Sequence, residues 1–198
     1  TSAEATQVGS TPFSTTLADT NFWGFNFNPR VDRIRITNRE QQNLRVNPIN
    51  GALAGTDTNL SSFGVNGIAY DRNVGGATTT TLYAINYDSD TFGTIGGING
   101  TPSPNGGAFT PIGPTGFVAI DAYYMDIESV TEIARSTANG NLYTTSLSTG
   151  AFTLVGAIGG APALRGITHP QAPFTTTTTV TSSTNPSRFG QNVTFTAT

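Results

Sequence analysis

From Val31 to Thr37, in VDRIRIT, apolar and polar residues alternate strictly, the period of a strand with one face turned to a core. An aromatic run precedes it, Phe22, Trp23, Phe25 and Phe27, closed by Asn28-Pro29, and a second short strand is expected from Gln42 to Asn47. Laying Ile34 opposite Val46 and Ile36 opposite Leu44 predicts an antiparallel hairpin with a loop over residues 38–42. That register puts Arg33, Arg35, Asn43, Arg45 and Asn47 on the other face, with Arg35 directly across from Arg45. Pro48-Ile49-Asn50-Gly51 then turns the chain again.

The same grammar recurs. GIAYDR, TTTTLYAINYD and FGTIGG form a second cycle from Gly67, completed by AFTPIG after the loop INGTPSPNGG. GFVAIDAYYMDIE, VTEIARST and NLYTTSLSTGAFTLVGAIGG form a third, and LRGITHP, from Leu164, opens a fourth. Corresponding phrases lie about 40–60 residues apart, the interval of four-stranded propeller blades. Nothing has the 3.6-residue period of a helix. The pattern predicts an all-β, propeller-like array of antiparallel blades, about three and a half repeats over residues 21–170, fewer than the four to eight of a closed propeller. Residues 1–20 are read as a flexible lead with one strand near its end. Residues 171–198 change composition and read as a two-stranded tail, with strands at Thr176–Ser182 and Asn192–Thr198. An isolated hairpin is marginal in water, so the tail is expected to dock, burying Val180, Val193 and Phe195.

Composition narrows the function. Only 11% of the 198 residues are charged, and all nine basic residues are Arg. A formal net charge of −3 argues against a general nucleic-acid binder, which needs a basic face. No apolar run is long enough for a membrane helix, so no membrane insertion is expected. Cysteine is absent, which excludes disulfides and thiolate metal sites. The Thr/Gly/Asn-rich surface makes an exported protein, extracellular or at the cell surface, the expectation.

The phrases GFNFNPRVDRIRI, QNLRVNPINGAL, GATTTTLYAIN and NLYTTSLSTGAFTLVGAIGG closely resemble the bacterial domain-of-unknown-function family 4394. The resemblance runs from Phe22 to Pro170 and corresponds to the later part of that family's domain. It implies a secreted β-propeller-type fold and carries no activity with it. The tail, TTTTTVTSSTNPSRFGQNVTFTAT, is similar to the first two strands of bacterial immunoglobulin-like surface repeats. Such a sandwich has about seven strands, so the resemblance implies a continuing chain or strands lent to another subunit.

Three functions stay open. The short blade count and the two-strand tail fit a non-catalytic structural or adhesive protein that contacts copies of itself or neighbouring surface domains, assembling by strand donation into a fibre or array. The face carrying Arg33, Arg35, Asn43, Arg45 and Asn47 suits an acidic polysaccharide or another anion, since guanidinium forks match carboxylate and sulfate; intramolecular acids such as Asp32 or Glu40 are the competing explanation. A hydrolase is the third. The carboxylates Asp121, Asp126, Glu128 and Glu132 are close in sequence, and His169 is the one histidine, but no nucleophile motif accompanies it. Asn86, Asp88 and Asp90 offer closely spaced oxygens of the kind calcium uses, without the glycine and glutamate of a helix-loop-helix calcium loop; calcium is the one cofactor suggested. The aromatic residues are assigned to packing before sugar stacking.

Overall fold

The computed structural model describes residues 4–10, 14–18, 22–160, 164–169 and 178–198. Three four-stranded antiparallel sheets follow one another along the chain, each in sequential strand order. The first blade is β1 (Trp23–Asn28), β2 (Arg33–Asn38), β3 (Asn43–Val46) and β4 (Leu53–Thr56). The second is β5 (Val65–Tyr70), β6 (Leu82–Asn86), β7 (Thr91–Ile95) and β8 (Phe109–Pro114). The third is β9 (Tyr124–Ile127), β10 (Ala134–Ala138), β11 (Asn141–Thr145) and β12 (Phe152–Ala157). A hairpin of β13 (Val180–Ser182) and β14 (Phe195–Ala197) ends the chain, and two short 3₁₀ turns in the loop before β8 are the only helical geometry among the described residues. The expected all-β array of antiparallel blades is what forms, with no closed barrel among the described residues.

The first strands of the blades, β1, β5 and β9, pack in succession along one line. Glycine permits that approach. A Cβ at Gly24 would lie 2.2 Å from the carbonyl oxygen of Asn66, and one at Gly67 would lie 3.2 Å from that of Tyr123. Side-chain amides then cross-link the line: Asn66 Nδ2 donates to Tyr123 O (3.0 Å), and the Tyr70 N–H donates to Asn26 Oδ1 (3.0 Å).

Packing makes the second blade the middle of the structure. Every residue of β5 and β6 is buried. One cluster, with Ile85, Phe92, Tyr123, Met125 and Ile127, joins it to the third blade, where Phe117, Tyr143 and Phe152 complete an aromatic stack. Another, with Leu60, Val65, Ile68, Tyr70, Leu82 and Ile95, packs separately from the first. Strands covered on both faces have no reason to alternate, so VNGIAY and LYAIN carry apolar residues at adjacent positions.

The hairpin register of the first blade is as expected: Ile34 pairs with Val46, Arg35 with Arg45 and Ile36 with Leu44. Its two faces are the reverse of expectation. Arg35, Thr37 and Asn43 are buried, whereas Ile34, Ile36 and Leu44 are only half-buried. The polar face is the one turned towards the second blade, whose Tyr70 and Asn105 contact Arg35, so the polar side chains are enclosed and hydrogen-bonded there. Val46 alone of the four apolar residues is fully buried.

Three further expectations need correction. Residues 4–10 and 14–18 form no strand; the lead is instead tied to Gln42, which accepts from the Ala18 N–H (2.9 Å) and donates to Thr16 O (2.8 Å). The long run expected from Gly116 yields only β9, and Val118 and Ile120 before it are exposed. LRGITHP forms no strand over residues 164–169, although it lies against the line of first strands. The tail pairs as expected but over shorter segments, and residues 170–177 lie outside the described residues. Val180 and Phe195 are exposed and Val193 is half-buried, so within this chain the tail is not docked through these side chains.

Candidate functional site

The arginine face lies in the seam between the first two blades. Asp57, just beyond β4, reaches between Arg35 and Arg45, whose like charges face each other across the ladder. Arg35 Nη1 donates to Asp57 Oδ2 at 2.5 Å, and Arg45 approaches the same carboxylate through Nε (2.8 and 3.0 Å) and Nη2 (2.8 Å). Arg35 and Asp57 are sealed from solvent, each side chain 1% exposed, and Arg45 is 24% exposed. The bond to Asp57 holds the Arg45 pKa above its ordinary value, against an opposing effect of burial.

The remaining donors of Arg35 are also satisfied. Nη1 and Nη2 each donate at 2.7 Å, to Asn43 Oδ1 and Asn105 Oδ1, and Nε reaches the Tyr70 hydroxyl at 3.4 Å. Asn43 in turn donates to Thr58 O (3.0 Å) and Pro104 O (3.1 Å). Arg35 and Asn43 therefore clamp the blades together. Asn47 sits at a turn, where its Oδ1 accepts from the Ile49 N–H at 2.9 Å. The carboxylate that answers Arg35 and Arg45 is neither Asp32 nor Glu40 but Asp57, whose position in an unpatterned stretch gave no sequence signal.

Above this clamp opens a cleft of about 290 Å³, lined by Arg30, Arg33, Arg35 and Arg45 with Asn28, Ser103, Asn105 and the backbone of Gly100. Four of the chain's nine basic residues meet here, and among the described residues no carboxylate lines the cleft. Among the described residues neither Arg30 nor Arg33 pairs with an acid; Arg33 Nη1 donates to Asp32 O at 2.7 Å. One carboxylate thus answers two of the four guanidinium groups, and the cleft carries excess positive charge in a protein whose net charge is negative. Arg30 comes from the Pro29-Arg30 turn, which the strand pattern left out.

The suggested calcium ligands are engaged within the protein. Asn86 Oδ1 accepts from the Ser89 N–H (3.2 Å), Asp88 pairs with Arg39 (2.8 Å), and Asp90 Oδ1 accepts from the Ala119 N–H (3.0 Å) and the Tyr123 hydroxyl (2.8 Å). Their oxygens turn to four different partners. Among the described residues no group of three or more His, Asp or Glu side chains is placed to hold a metal ion.

His169 meets Asp126, 43 residues earlier. Asp126 Oδ2 accepts from the His169 N–H at 2.7 Å and lies 3.3 Å from Nδ1. A cavity of about 390 Å³ opens beside this pair, with Phe25, Phe27 and Ser129 in its wall. Of the other carboxylates grouped in the sequence, Glu132 accepts the Arg72 N–H at 3.0 Å and is shifted up by burial, and Glu128 is shifted down by the Thr131 hydroxyl.

Successive four-stranded blades in sequential order, their first strands packed along one line, define a propeller-like β-repeat protein with a basic cleft between two blades. The chain belongs to the DUF4394 family, a domain of unknown function, whose model matches residues 1–168. The match takes in the N-terminal lead and stops short of the tail. Comparison with curated proteins and with solved structures returns no significant match. No helix among the described residues is long and apolar enough to cross a membrane, a statement that does not extend to strands.

Proposed function

We propose that this protein is a non-catalytic binding module, acting outside the cell or on its surface, whose cleft between the first two blades takes carboxylate or sulfate groups of an acidic polysaccharide. The observation that carries the proposal is the meeting of Arg30, Arg33, Arg35 and Arg45 on one cleft that no carboxylate among the described residues lines. Guanidinium forks bind such oxyanions in pairs of parallel hydrogen bonds. The division of labour differs from that expected of the hairpin alone: Arg35 is held by the fold, and Arg30 and Arg33 are the groups offered to a ligand.

Retention on immobilised polygalacturonate and heparin, with neutral dextran as the comparison, tests this. Arg30→Gln with Arg33→Gln removes the two unpaired guanidinium groups without touching the clamp. Hydrogen bonds to charged groups are worth about 1.5–3 kcal/mol each, so binding to the acidic polymers weakens about tenfold or more for each arginine lost. Unchanged retention of the double variant, or equal retention on dextran, refutes the proposal.

A structural or adhesive role, with copies of the chain joined by strand addition, is supported by a separate observation. The hairpin of β13 and β14 exposes Val180, Phe189 and Phe195. Such a hairpin gains stability by pairing with another chain. Light scattering after size exclusion, with negative-stain microscopy of the same fractions, should then show concentration-dependent oligomers that are lost on changing Phe195 to Asp. A monomer at every concentration removes this role.

A further inference from the structure

Residues that line the cavity beside His169 and Asp126 carry polar atoms that no described residue satisfies. His169 Nε2 and Ser129 Oγ are both buried and have no hydrogen-bond partner among the described residues. Asp126 Oδ1 accepts only a 3.4 Å contact from Asn26 Nδ2, although its side chain is 11% exposed. Buried polar groups are ordinarily paired, so two unpaired atoms and one weakly held carboxylate oxygen on residues lining one cavity indicate a place shaped for a guest. The volume, about 390 Å³, lies within the range of about 300–1,000 Å³ common to small-molecule sites.

The chemistry of the guest follows from the ring. A carboxylate oxygen only accepts, so Nδ1 carries the proton that faces Asp126. The opposite atom, Nε2, then accepts in the neutral ring and donates in the charged one. A hydroxyl is the group that serves in both cases, and it also complements the Ser129 hydroxyl. At the mouth, Phe25 and Phe27 stand edge to face, 6.0 Å between centroids, and are 56% and 45% exposed. Two exposed aromatic rings beside convergent polar atoms match a sugar, which has a C–H face and a rim of hydroxyls. No arginine lines this cavity, and the Asp126 carboxylate repels an acidic guest.

We infer that the cavity between Phe25, Phe27, Asp126, Ser129 and His169 is a binding site for a neutral sugar unit, separate from the arginine cleft. His169 Nε2 and Ser129 Oγ are shut off from solvent, so these two side chains turn towards the sugar as it enters. Its hydroxyls then pair with His169 Nε2, Ser129 Oγ and Asp126 Oδ1, and its apolar face lies on the two phenylalanines.

The test is titration of the isotope-labelled full chain, followed by NMR, with the methyl glycosides of glucose, galactose, mannose and N-acetylglucosamine as probes and galacturonate as the acidic comparison. At least one neutral glycoside should shift the His169 ring and Ser129 amide signals saturably, and galacturonate should not. His169→Gln and Phe27→Ala should each weaken that binding about tenfold or more, the loss of one charge-assisted or stacking contact, while Arg30→Gln leaves it unchanged. Silence from all four neutral glycosides, equal shifts from galacturonate, or unaltered binding by both cavity variants overturns the inference. Cleavage of the bound glycoside, abolished in His169→Gln, overturns it too, because the cavity would then be a reaction centre.

Discussion

Replacing Asp57 with Asn removes one charge from the seam and almost no volume, so the change isolates the role of the carboxylate between Arg35 and Arg45. Taking one partner from a buried ion pair costs about 3–5 kcal/mol, because the charge left behind stays out of water. Arg35 keeps two acceptors at 2.7 Å, the Asn43 and Asn105 oxygens, and Arg45 is 24% exposed and free to turn outwards. These compensations set the expected loss near the lower limit, about 3 kcal/mol. With a urea slope of about 1–3 kcal/mol per molar, the unfolding midpoint falls by about 1–3 M. The measurement is urea denaturation of wild type and Asp57→Asn, in chloride and then with added phosphate. An anion that binds the folded seam stabilises by mass action, about 2.7 kcal/mol when present at a hundredfold its dissociation constant. Phosphate should therefore restore the variant much more than it helps the wild type. A loss below about 0.5 kcal/mol, the level of an ordinary surface substitution, would show that Asp57 is not what holds the two arginines, and the account of the seam would fail with it.

Gly24→Ala should cost about 1–3 kcal/mol, the usual penalty for overpacking, because its Cβ would fall 2.2 Å from the Asn66 carbonyl oxygen; thermal unfolding reads this, and a neutral result would mean that β1 and β5 do not approach as described. At alkaline pH the fully buried Tyr123 should dominate. Burial raises its folded pKa, while in the unfolded chain the phenol titrates near about 10, so above that pH the unfolded state binds fewer protons and stability falls as pH rises. Below about pH 10 the contribution is fully present, and Tyr123→Phe should flatten the decline above it; an unchanged slope in the variant would assign the effect elsewhere, Tyr83 being the other phenol raised by burial.

What was legible in the sequence was the order of strands and the pairing of neighbours. VDRIRIT and QNLRVN specify their register because period-two alternation leaves few alignments, and the Ile34–Val46 and Arg35–Arg45 pairs form as read. Alternation also says which residues share a face, but not what covers that face. It separates Arg35 from Ile34 correctly and misses their environments, because the second blade covers the polar side and supplies Tyr70 and Asn105 to it. Long-range partners had no local mark. Asp57 follows the short strand LAGT, which has no alternation, and Asp126 finds His169 across 43 residues. The second blade hid its strand limits for another reason: covered on both faces, β5 begins at Val65, two residues before the phrase that resembled the other cycles.

The clamp in the first seam also determines which neighbours the blades accept. A greasy seam tolerates any partner of suitable shape, whereas Arg35 requires two amide oxygens and a phenol at set places, and Asn43 requires the carbonyls of Thr58 and Pro104. The second and third blades meet through an aromatic and aliphatic cluster, with hydrogen bonds such as Asn66 to Tyr123 and Arg72 to Glu132 but no guanidinium group in the apolar part. Two seams so differently built cannot exchange partners without stranding a guanidinium group in an apolar wall. Blade order is thereby written into the contacts as an address as well as into the connecting loops, and circular permutants or duplicated blades of this protein should assemble in the parental neighbourhood or not at all.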